Sequence, residues 1–582
     1  MINITINGKL IEVEPGTTIL DAARKVNIKI PTLCYSPDLS PWASCGICIV
    51  RLAGSAKMVR ACCTSCENNM SVITHDPEII AVRKTVLELI LSNHPDDCLQ
   101  CPRSHSCELQ ELAADFGIRT APFNKVNTNL PVDETSPSII LCPEKCIRCG
   151  RCVKVCQDVQ NVWALEFLGR GIKGKIASAA DTPLNESPCI KCGQCAAHCP
   201  VGAIYEHDDT INVWEALQDS EKHPVVQIAP AVRVALAEEF GLPPGTLFTK
   251  KIYAALRRLG FKTVFDTNFS ADLTIMEEGT ELKKRIMGDG VLPLITSCCP
   301  AWVDYLEKYY PDLIPHFSTA KSPQQMMGAM IKAYWSQKAG IDGNKIYSVS
   351  VMPCTAKKWE IKRNDDMKSA GFGYDVDVVI TTRELARMIK QAGIDILNLD
   401  DEDADSPLGP YTGAGTIFGV TGGVMEAAVR SAYYLVTNKE LSDINFKPAR
   451  GLDGVKTGEV DFDGKKINVA VAHQMGNIAA VLDKIREAIK EKKEVPYQFI
   501  EVMACRGGCI AGGGQPYGCT DEIRKQRTAG IYSDDEKSQY RRSHQNPFIN
   551  QVYEEFFKDK PGCNKAHKLL HTKYTERPLY NK

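Results

Sequence analysis

The chain reads as a multidomain α+β and α/β protein with a small β-rich N-terminal module, two cysteine-rich modules and a large α/β domain holding two largely parallel sheets. Three observations predict this. The first dozen residues alternate apolar and polar side chains around a turn dipeptide, a cysteine spacing occurs twice, and short apolar runs alternate with helical patterns from about residue 210. A length of 582 residues allows roughly three to five domains. With 44% hydrophobic residues, 24% charged residues and a net charge of −2, the composition is that of a soluble globular protein and points to no nucleic-acid or membrane-surface partner.

The N-terminal segment Ile2-Asn-Ile-Thr-Ile-Asn-Gly-Lys-Leu-Ile-Glu-Val alternates about Asn7-Gly8, a strong hairpin signal. Thr18 is placed to cap a short helix from Ile19 to Val26. Met1-Ile-Asn-Ile-Thr carries no basic or apolar leader pattern, so a cytoplasmic location is expected. Residues 79–125 read as mainly helical around a Cys group. The uncharged run Pro407–Met425 carries six glycines and two prolines, which argues against a membrane span and for a buried loop-and-strand region. Beyond residue 519 the chain is polar and charged and reads as a peripheral helical extension with an aromatic patch at Tyr553–Phe557.

Four apolar runs punctuate the large domain: Val225–Pro230, Pro293–Cys299, Tyr347–Cys354 and Gln498–Cys505. Each ends in Pro or Cys. In open parallel sheets ligands bind beyond the carboxyl ends of strands, so these ends are expected to converge on one site.

Cysteine is the outlier, at 25 residues. In a reducing compartment such cysteines are more often metal ligands than disulfides. Cys146-x2-Cys149-x2-Cys152-x3-Cys156 recurs 43 residues later as Cys189, Cys192, Cys195 and Cys199, the latter copy followed by Pro200 where the first has Gln157. This is the bacterial-type ferredoxin pattern, in which the fourth Cys ligates the other 4Fe–4S cluster. One cluster is thus expected on Cys146, Cys149, Cys152 and Cys199, the second on Cys189, Cys192, Cys195 and Cys156.

Cys34, Cys45 and Cys48 resemble the plant-type 2Fe–2S arrangement with a lengthened first spacing. The fourth ligand is open between Cys62, Cys63 and Cys66; Arg60-Ala-Cys-Cys-Thr favours Cys62. His94-x3-Cys98-x2-Cys101-x5-Cys107 suits zinc or iron–sulfur by ligand type. Its position between two ferredoxin-like modules favours iron–sulfur.

Three further segments name a family. Thr296-Ser-Cys-Cys-Pro-Ala-Trp, Met352-Pro-Cys-Thr-Ala-Lys-Lys-Trp-Glu and Glu501-Val-Met-Ala-Cys-Arg-Gly-Gly-Cys-Ile-Ala-Gly-Gly-Gly-Gln-Pro resemble, in order, the signatures of the iron-only (FeFe) hydrogenases, which interconvert protons and electrons with H2. The resemblance runs along nearly the whole chain, to the large clostridial-type members. It implies a β-grasp 2Fe–2S ferredoxin-like domain at 1–78, a His/Cys-ligated 4Fe–4S cluster domain at 79–125 and a two-cluster ferredoxin-like domain at 126–209. An H-cluster domain at 210–518 and a C-terminal helical extension at 519–582 complete it.

By the same resemblance Cys299, Cys354, Cys505 and Cys509 hold the H-cluster cubane, and Cys509 bridges it to a di-iron azadithiolate unit bearing CO and cyanide. Lys357 and the Ala229-Pro230-Ala231 turn would bind the cyanides, Ala231 standing where some relatives have Ser. Gln324, Met352 and Met503 would line the pocket. Cys298, Glu278, Ser318, Glu281 and Arg285 match the family's proton relay, although unaided the glutamates Glu277, Glu278 and Glu281 read as an acidic helix start on the surface. His105 competes with His94, and only His94 matches the family pattern. One 2Fe–2S and three accessory 4Fe–4S clusters would form an electron chain. Its partner is expected to be ferredoxin or NAD(P)-linked flavoprotein subunits, and maturation proteins would supply the di-iron unit.

Rivals are the iron–sulfur subunit of an NADH or formate dehydrogenase, which would lack the three signatures, and a non-catalytic iron–sulfur assembly factor, which would lack the proton-delivering Cys298. Nineteen cysteines and His94 fill the expected ligand positions; Cys298 moves protons, and Cys63, Cys66, Cys142, Cys519 and Cys563 have no assigned role.

An imidazole in place of a thiolate leaves its cluster one charge less negative and so easier to reduce. His94→Cys is expected to lower the potential of that cluster by on the order of 100 mV, read by redox titration under EPR, while hydrogen chemistry with a small artificial donor persists.

Overall fold

The structure, a computed structural model, describes residues 1–125 and 129–580. The expected boundary at residue 126 and the last two residues of the C-terminal extension lie outside the described residues.

At the N-terminus Ile2–Ile6 and Lys9–Val13 pair in an antiparallel hairpin with Ile6 opposite Lys9. Asn7 and Gly8 turn it with φ of +50° and +82°, the left-handed pair that matches strand twist in two-residue hairpins. A five-stranded sheet follows in the order Lys9–Val13, Ile2–Ile6, Ser71–Ile73, Ile49–Leu52, Met58–Arg60. The Thr18 side chain accepts from Asp21 N and caps the helix Ile19–Lys25, whose Ile19, Leu20, Ala22 and Ala23 bury against Ile4, Ile6 and Val13.

Next come the helices Pro77–Ser92, opened by an Asp76 cap, and Glu108–Asp115. The duplicated cysteine spacing folds as a duplicated structure. The short helices Arg151–Lys154 and Gln194–His198 each follow a left-handed glycine, Gly150 and Gly193. Strands Ile139–Leu141 and Ile204–Glu206 pair antiparallel and close the module.

Two four-stranded sheets organise the large domain. The first is wholly parallel, in the order Thr263–Asp266, His223–Ile228, Ile346–Met352, Val378–Thr381. The second runs Leu294–Ile295, Phe499–Met503, Lys465–His473, Val455–Phe462, parallel except for the final hairpin. Parallel strands buried on both faces explain the apolar runs. A long helix, Thr267–Ile286, starts where Thr263–Asp266 ends, capped by Asp266. Asp266 is itself held by two bonds from the buried Arg233 guanidinium at 2.9 and 2.7 Å.

Two expectations change. Residues 407–425 are buried but form no strand: Gly413–Thr416 is helical, Ile417–Gly419 is a tight turn of helix, and Gly423 opens the helix Gly423–Thr437. Their glycines serve close approach rather than pleating, since a Cβ on Gly415 would collide with Asn268 O.

The C-terminal segment is helical, as Asp521–Lys537, Pro547–Val552 and Asn564–Leu570 show, but it is not peripheral. Its charges point inward to partners on the large domain. Arg527 donates to both oxygens of Glu238 at 2.6 and 2.7 Å and to Ile510 O at 2.6 Å. Asp535 takes two bonds from Arg430, and Arg577 pairs with Asp304. A polar sequence looks exposed until its partners are known. Among the described residues no helix is long and apolar enough to cross a membrane.

Arg527 is fully buried, so Arg527→Met leaves the Glu238 carboxylate and the Ile510 carbonyl without donors. Breaking such a pair from one side costs about 3 kcal/mol or more. Differential scanning calorimetry is expected to show a lower thermal midpoint, with iron content unchanged below the transition.

Candidate active site

The four apolar runs end around one buried cavity of about 80 Å³, several times the roughly 10–15 Å³ that a single water needs. The turn Ala229-Pro230-Ala231 follows the strand His223–Ile228. Cys298 and Cys299 follow Leu294–Ile295, Cys354 follows Ile346–Met352, and Cys505 and Cys509 follow Phe499–Met503. Met352 and Met503, the last residues of their strands, line the same space with Gln324 and Lys357. Gly508 sits at φ +95°, and a Cβ there would lie 2.6 Å from Thr421 N and 2.8 Å from Met503 Sδ. Only glycine lets the backbone pass.

Thiols in this cavity raise one another's proton affinity. Burial, then Cys299, pushes Cys354 up to about 12. Burial, then Cys354 and Cys299, pushes Cys505 well above the usual thiol range. Burial and the same neighbours raise Cys509, and burial raises Cys299. Four thiolates can share such a space when bound cations supply the opposing charge. The donor set, the volume and the missing Cβ therefore fit an iron–sulfur centre.

Around it is a hydrogen-bond scaffold. Lys357 Nζ donates to Cys298 O at 3.1 Å and to Glu360 Oε2 at 2.8 Å. Burial opposes the ammonium charge, but Glu360 more than offsets it, and the Lys357 pKa lies above its ordinary value. Glu360 Oε2 also accepts from Gln324 Nε2 at 3.0 Å and Ser322 Oγ at 2.9 Å, and Ser350 Oγ donates to Gln324 Oε1 at 3.0 Å.

On one side of the cavity stand the carboxyls. Glu277 and Glu278 lie mid-helix in Thr267–Ile286, at 1% and 2% exposure, so the surface reading of the acidic run is wrong: the helix starts ten residues earlier and is covered by the C-terminal segment. Burial pushes the Glu278 carboxyl up to about 8, against the opposing influence of the neighbouring Ser318 hydroxyl. The same Ser318 Oγ donates to Glu281 Oε2 at 3.2 Å, and Glu281 Oε1 accepts from Arg285 Nη2 at 2.6 Å. Toward the cavity, burial and then the nearby Glu278 raise the Cys298 thiol. Ser318 and Arg285 are thus joined through Glu281, and Glu278 is a neighbour of both Ser318 and Cys298.

On the other side stand the accessory cysteines. Cys34, Cys45, Cys48 and Cys62 contact one another through their thiols, whereas Cys63 is exposed against Arg60 O and Cys66 responds to burial and Asp21. Cys149 neighbours Cys146 and Cys199, and Cys152 neighbours all three. Cys156, Cys189, Cys192 and Cys195 form the second set, crossing the repeat. Cys101 and Cys107 are neighbours; His94 Nδ1 is buried with no hydrogen-bond partner among the described residues, and burial pushes this imidazole down to about 4. Cys98 is exposed.

These sets abut. Ser44 Oγ donates to Cys149 O at 3.3 Å, and Arg103 Nη1 donates to Cys199 O at 2.8 Å. Cys152 neighbours Cys195, Cys192 neighbours Cys354, and Gln194 Nε2 lies 3.2 Å from Cys505 Sγ. A Cβ on Gly513 would fall 2.5 Å from Cys192 O, so glycine permits the contact between the second set and the cavity.

Residues 222–513 match the family described as iron only hydrogenase large subunit, C-terminal domain, and residues 521–577 match the iron hydrogenase small subunit. Residues 1–77 match a 2Fe-2S iron-sulfur cluster binding domain, 83–122 the NADH-ubiquinone oxidoreductase-G iron-sulfur binding region, and 145–203 a 4Fe-4S dicluster domain. The NADP-reducing hydrogenase subunit HndD of Solidesulfovibrio fructosivorans is 47% identical over 99% of both chains. Iron hydrogenase 1 of Clostridium pasteurianum is 42% identical over 99% of this chain and 100% of its own. The chain belongs to the iron-only hydrogenases. A solved [FeFe]-hydrogenase from Chlamydomonas reinhardtii superposes with a TM-score of 0.57 at 40% identity, covering 64% of this chain and all of that one.

This hydrogenase therefore reversibly reduces protons to H2, with 2Fe–2S and 4Fe–4S domains attached to its catalytic domain. Two groups at its site escaped the sequence reading. Glu360 closes the second signature three residues after Lys357, a spacing that brings helical side chains together. Gln194 sits inside the cysteine repeat, and nothing in sequence ties it to Cys505.

Adjacent cysteines are expected to fail differently. Cys299→Ala should lose cavity iron, while Cys298→Ala and Glu278→Gln should keep it and lose turnover by about 10²–10⁴-fold, the usual worth of a positioned proton donor. Since Glu278 stands at about 8, it holds its proton below that pH, and hydrogen evolution should fall as pH rises through it. Iron per protein and pH–rate profiles check both.

Proposed function

We propose that the cavity holds an H-cluster, its cubane on Cys299, Cys354, Cys505 and Cys509 with Cys509 bridging to the di-iron unit. The observation that carries this is the meeting of four cysteines from three separate loops, with Lys357 and Cys298, around one cavity at the strand ends. When bound, that group would supply the redox chemistry that interconverts protons and H2.

The chain's own residues do the rest. Lys357, held by Glu360, presents an ammonium to the cavity, and the Ala229–Ala231 turn, Gln324, Met352 and Met503 shape and dry it. Protons pass between Cys298 and the rim through Glu278, Ser318 and Glu281, with Arg285 at the outer end. Ser318 carries one hydroxyl hydrogen between two carboxyls, so a proton taken from Glu281 is matched by one given to Glu278.

Electrons run the other way. The proposed clusters on the Cys189 and Cys146 sets lead outward and fork to the 2Fe–2S group and to the His94 group. Beside the latter Cys98 is exposed and Leu99 is 97% exposed. The unpartnered His94 nitrogen supports its place as a ligand. We take NAD(P)-linked flavoprotein subunits as the electron partner, supported by the name of the 47% identical relative, with ferredoxin as the alternative. The di-iron unit comes from maturation proteins. A reducing cytoplasm suits a chain with this many thiols.

Matured protein is expected to evolve hydrogen from a reduced low-potential donor and to show infrared bands of metal-bound CO and cyanide. Anaerobically matured protein lacking both gas evolution and those bands overturns the reading.

A further inference from the structure

The C-terminal segment brings one imidazole to the proton relay. Lys321 N donates to Leu570 O and Thr572 N to Thr319 O, both at 2.8 Å, so His571 is pinned in a β-bridge against Ala320. Its side chain is 5% exposed. Nε2 lies 3.0 Å from Glu277 Oε2, and Nδ1 lies 2.7 Å from Thr319 Oγ1. Thr319 Oγ1 is in turn 3.3 Å from Glu281 Oε2, the oxygen that also receives Ser318 Oγ and Thr319 N.

Counting hydrogens fixes how this chain can be arranged. Glu277 receives Tyr553 OH on one oxygen and Gly562 N, at 2.8 Å, on the other, and as a carboxylate it can only accept. The hydrogen of a neutral His571 is therefore on Nε2, facing Glu277. Nδ1 is then an acceptor, and the single hydroxyl hydrogen of Thr319 goes to it. A proton added to His571 occupies Nδ1. The Thr319 hydroxyl must then accept from the ring and turn its own hydrogen to the remaining acceptor, Glu281 Oε2.

We propose that His571 is a positioning residue of the proton relay: its proton turns the Thr319 hydroxyl onto Glu281 and so ties relay chemistry to the C-terminal segment. The proposal rests on Glu281 belonging to the relay set out above. An extra donor on Glu281, with a cation behind it, favours the carboxylate form, and hence passage of a proton from Glu281 toward Ser318. Glu277 faces His571 directly, with Tyr553 on the far oxygen of that carboxyl, and the stacked His567 is itself neighboured by Glu277, Glu281 and Lys284 of the long helix. Asp366 takes the adjoining Thr572 hydroxyl. His567 stacks on the His571 ring at 4.4 Å.

The test uses the full-length matured enzyme. Infrared difference spectra across pH identify the Glu281 carboxylate band as the one lost in Glu281→Gln. In the native enzyme this band is expected to shift with pH, and hydrogen evolution with an artificial donor to show an inflection where the band shifts. Thr319→Val, which keeps His571 and its bond to Glu277, and His571→Gln, which keeps a donor toward Glu277, should both abolish the shift and the inflection. Thr319→Ser should restore them. A merely structural His571 would leave the band shift in Thr319→Val unchanged, and that result overturns the proposal. If Glu281→Gln leaves hydrogen evolution unslowed, the relay reading itself fails. If it slows evolution while Thr319→Val behaves as native, only the coupling through His571 fails.

Discussion

Negative charge crowded into a dry space is the constraint that organises this hydrogenase. Burial, with neighbouring thiols adding to it, raises the proton affinity of the deepest cysteines, most strongly at Cys152, Cys192, Cys195 and Cys505. A set of thiolates at that depth is tolerable only with cations among them. The fold meets the geometric half of this demand with rigid elements. Strand ends deliver Cys299, Cys354 and Cys505, and glycines remove every Cβ that would stand in the way, as at Gly508 and Gly513.

The proposed electron and proton routes meet the cavity from different sides. Electron-carrying modules meet it where Gln194 and Cys192 touch Cys505 and Cys354. Carboxyls and hydroxyls approach from the side of the long helix. Lys357 and Glu360 stand between, and the three donors gathered on Glu360 Oε2 hold the Lys357 ammonium in place.

The C-terminal segment completes the proton side. It matches a small subunit family yet is here continuous with the large domain. Continuity spares the entropy of a separate association step. Its buried ion pairs, Arg527–Glu238 and Asp535–Arg430, hold it to the large domain, and the backbone bonds at Leu570 and Thr572 set the register in which His571 meets Thr319.

How much of this was legible in sequence depends on the range of the interaction. Cysteine spacing determined the metal chemistry, because the ligands of one ferredoxin-type cluster are mostly a few residues apart. The Asn7-Gly8 hairpin and the Thr18 cap are equally local and were readable. The four apolar runs announced parallel strands because burial on both faces leaves no polar positions. Arg60-Ala-Cys-Cys-Thr favoured Cys62, and it is Cys62 rather than Cys63 that faces Cys34, since one residue along a chain reverses where a side chain points. Tertiary structure alone decided the rest. The acidic run at Glu277 is interior only because a segment nearly 300 residues later covers it. Gln194 and Cys505 are 311 positions apart. A contact of that range leaves no periodicity in sequence, and packing alone decides it.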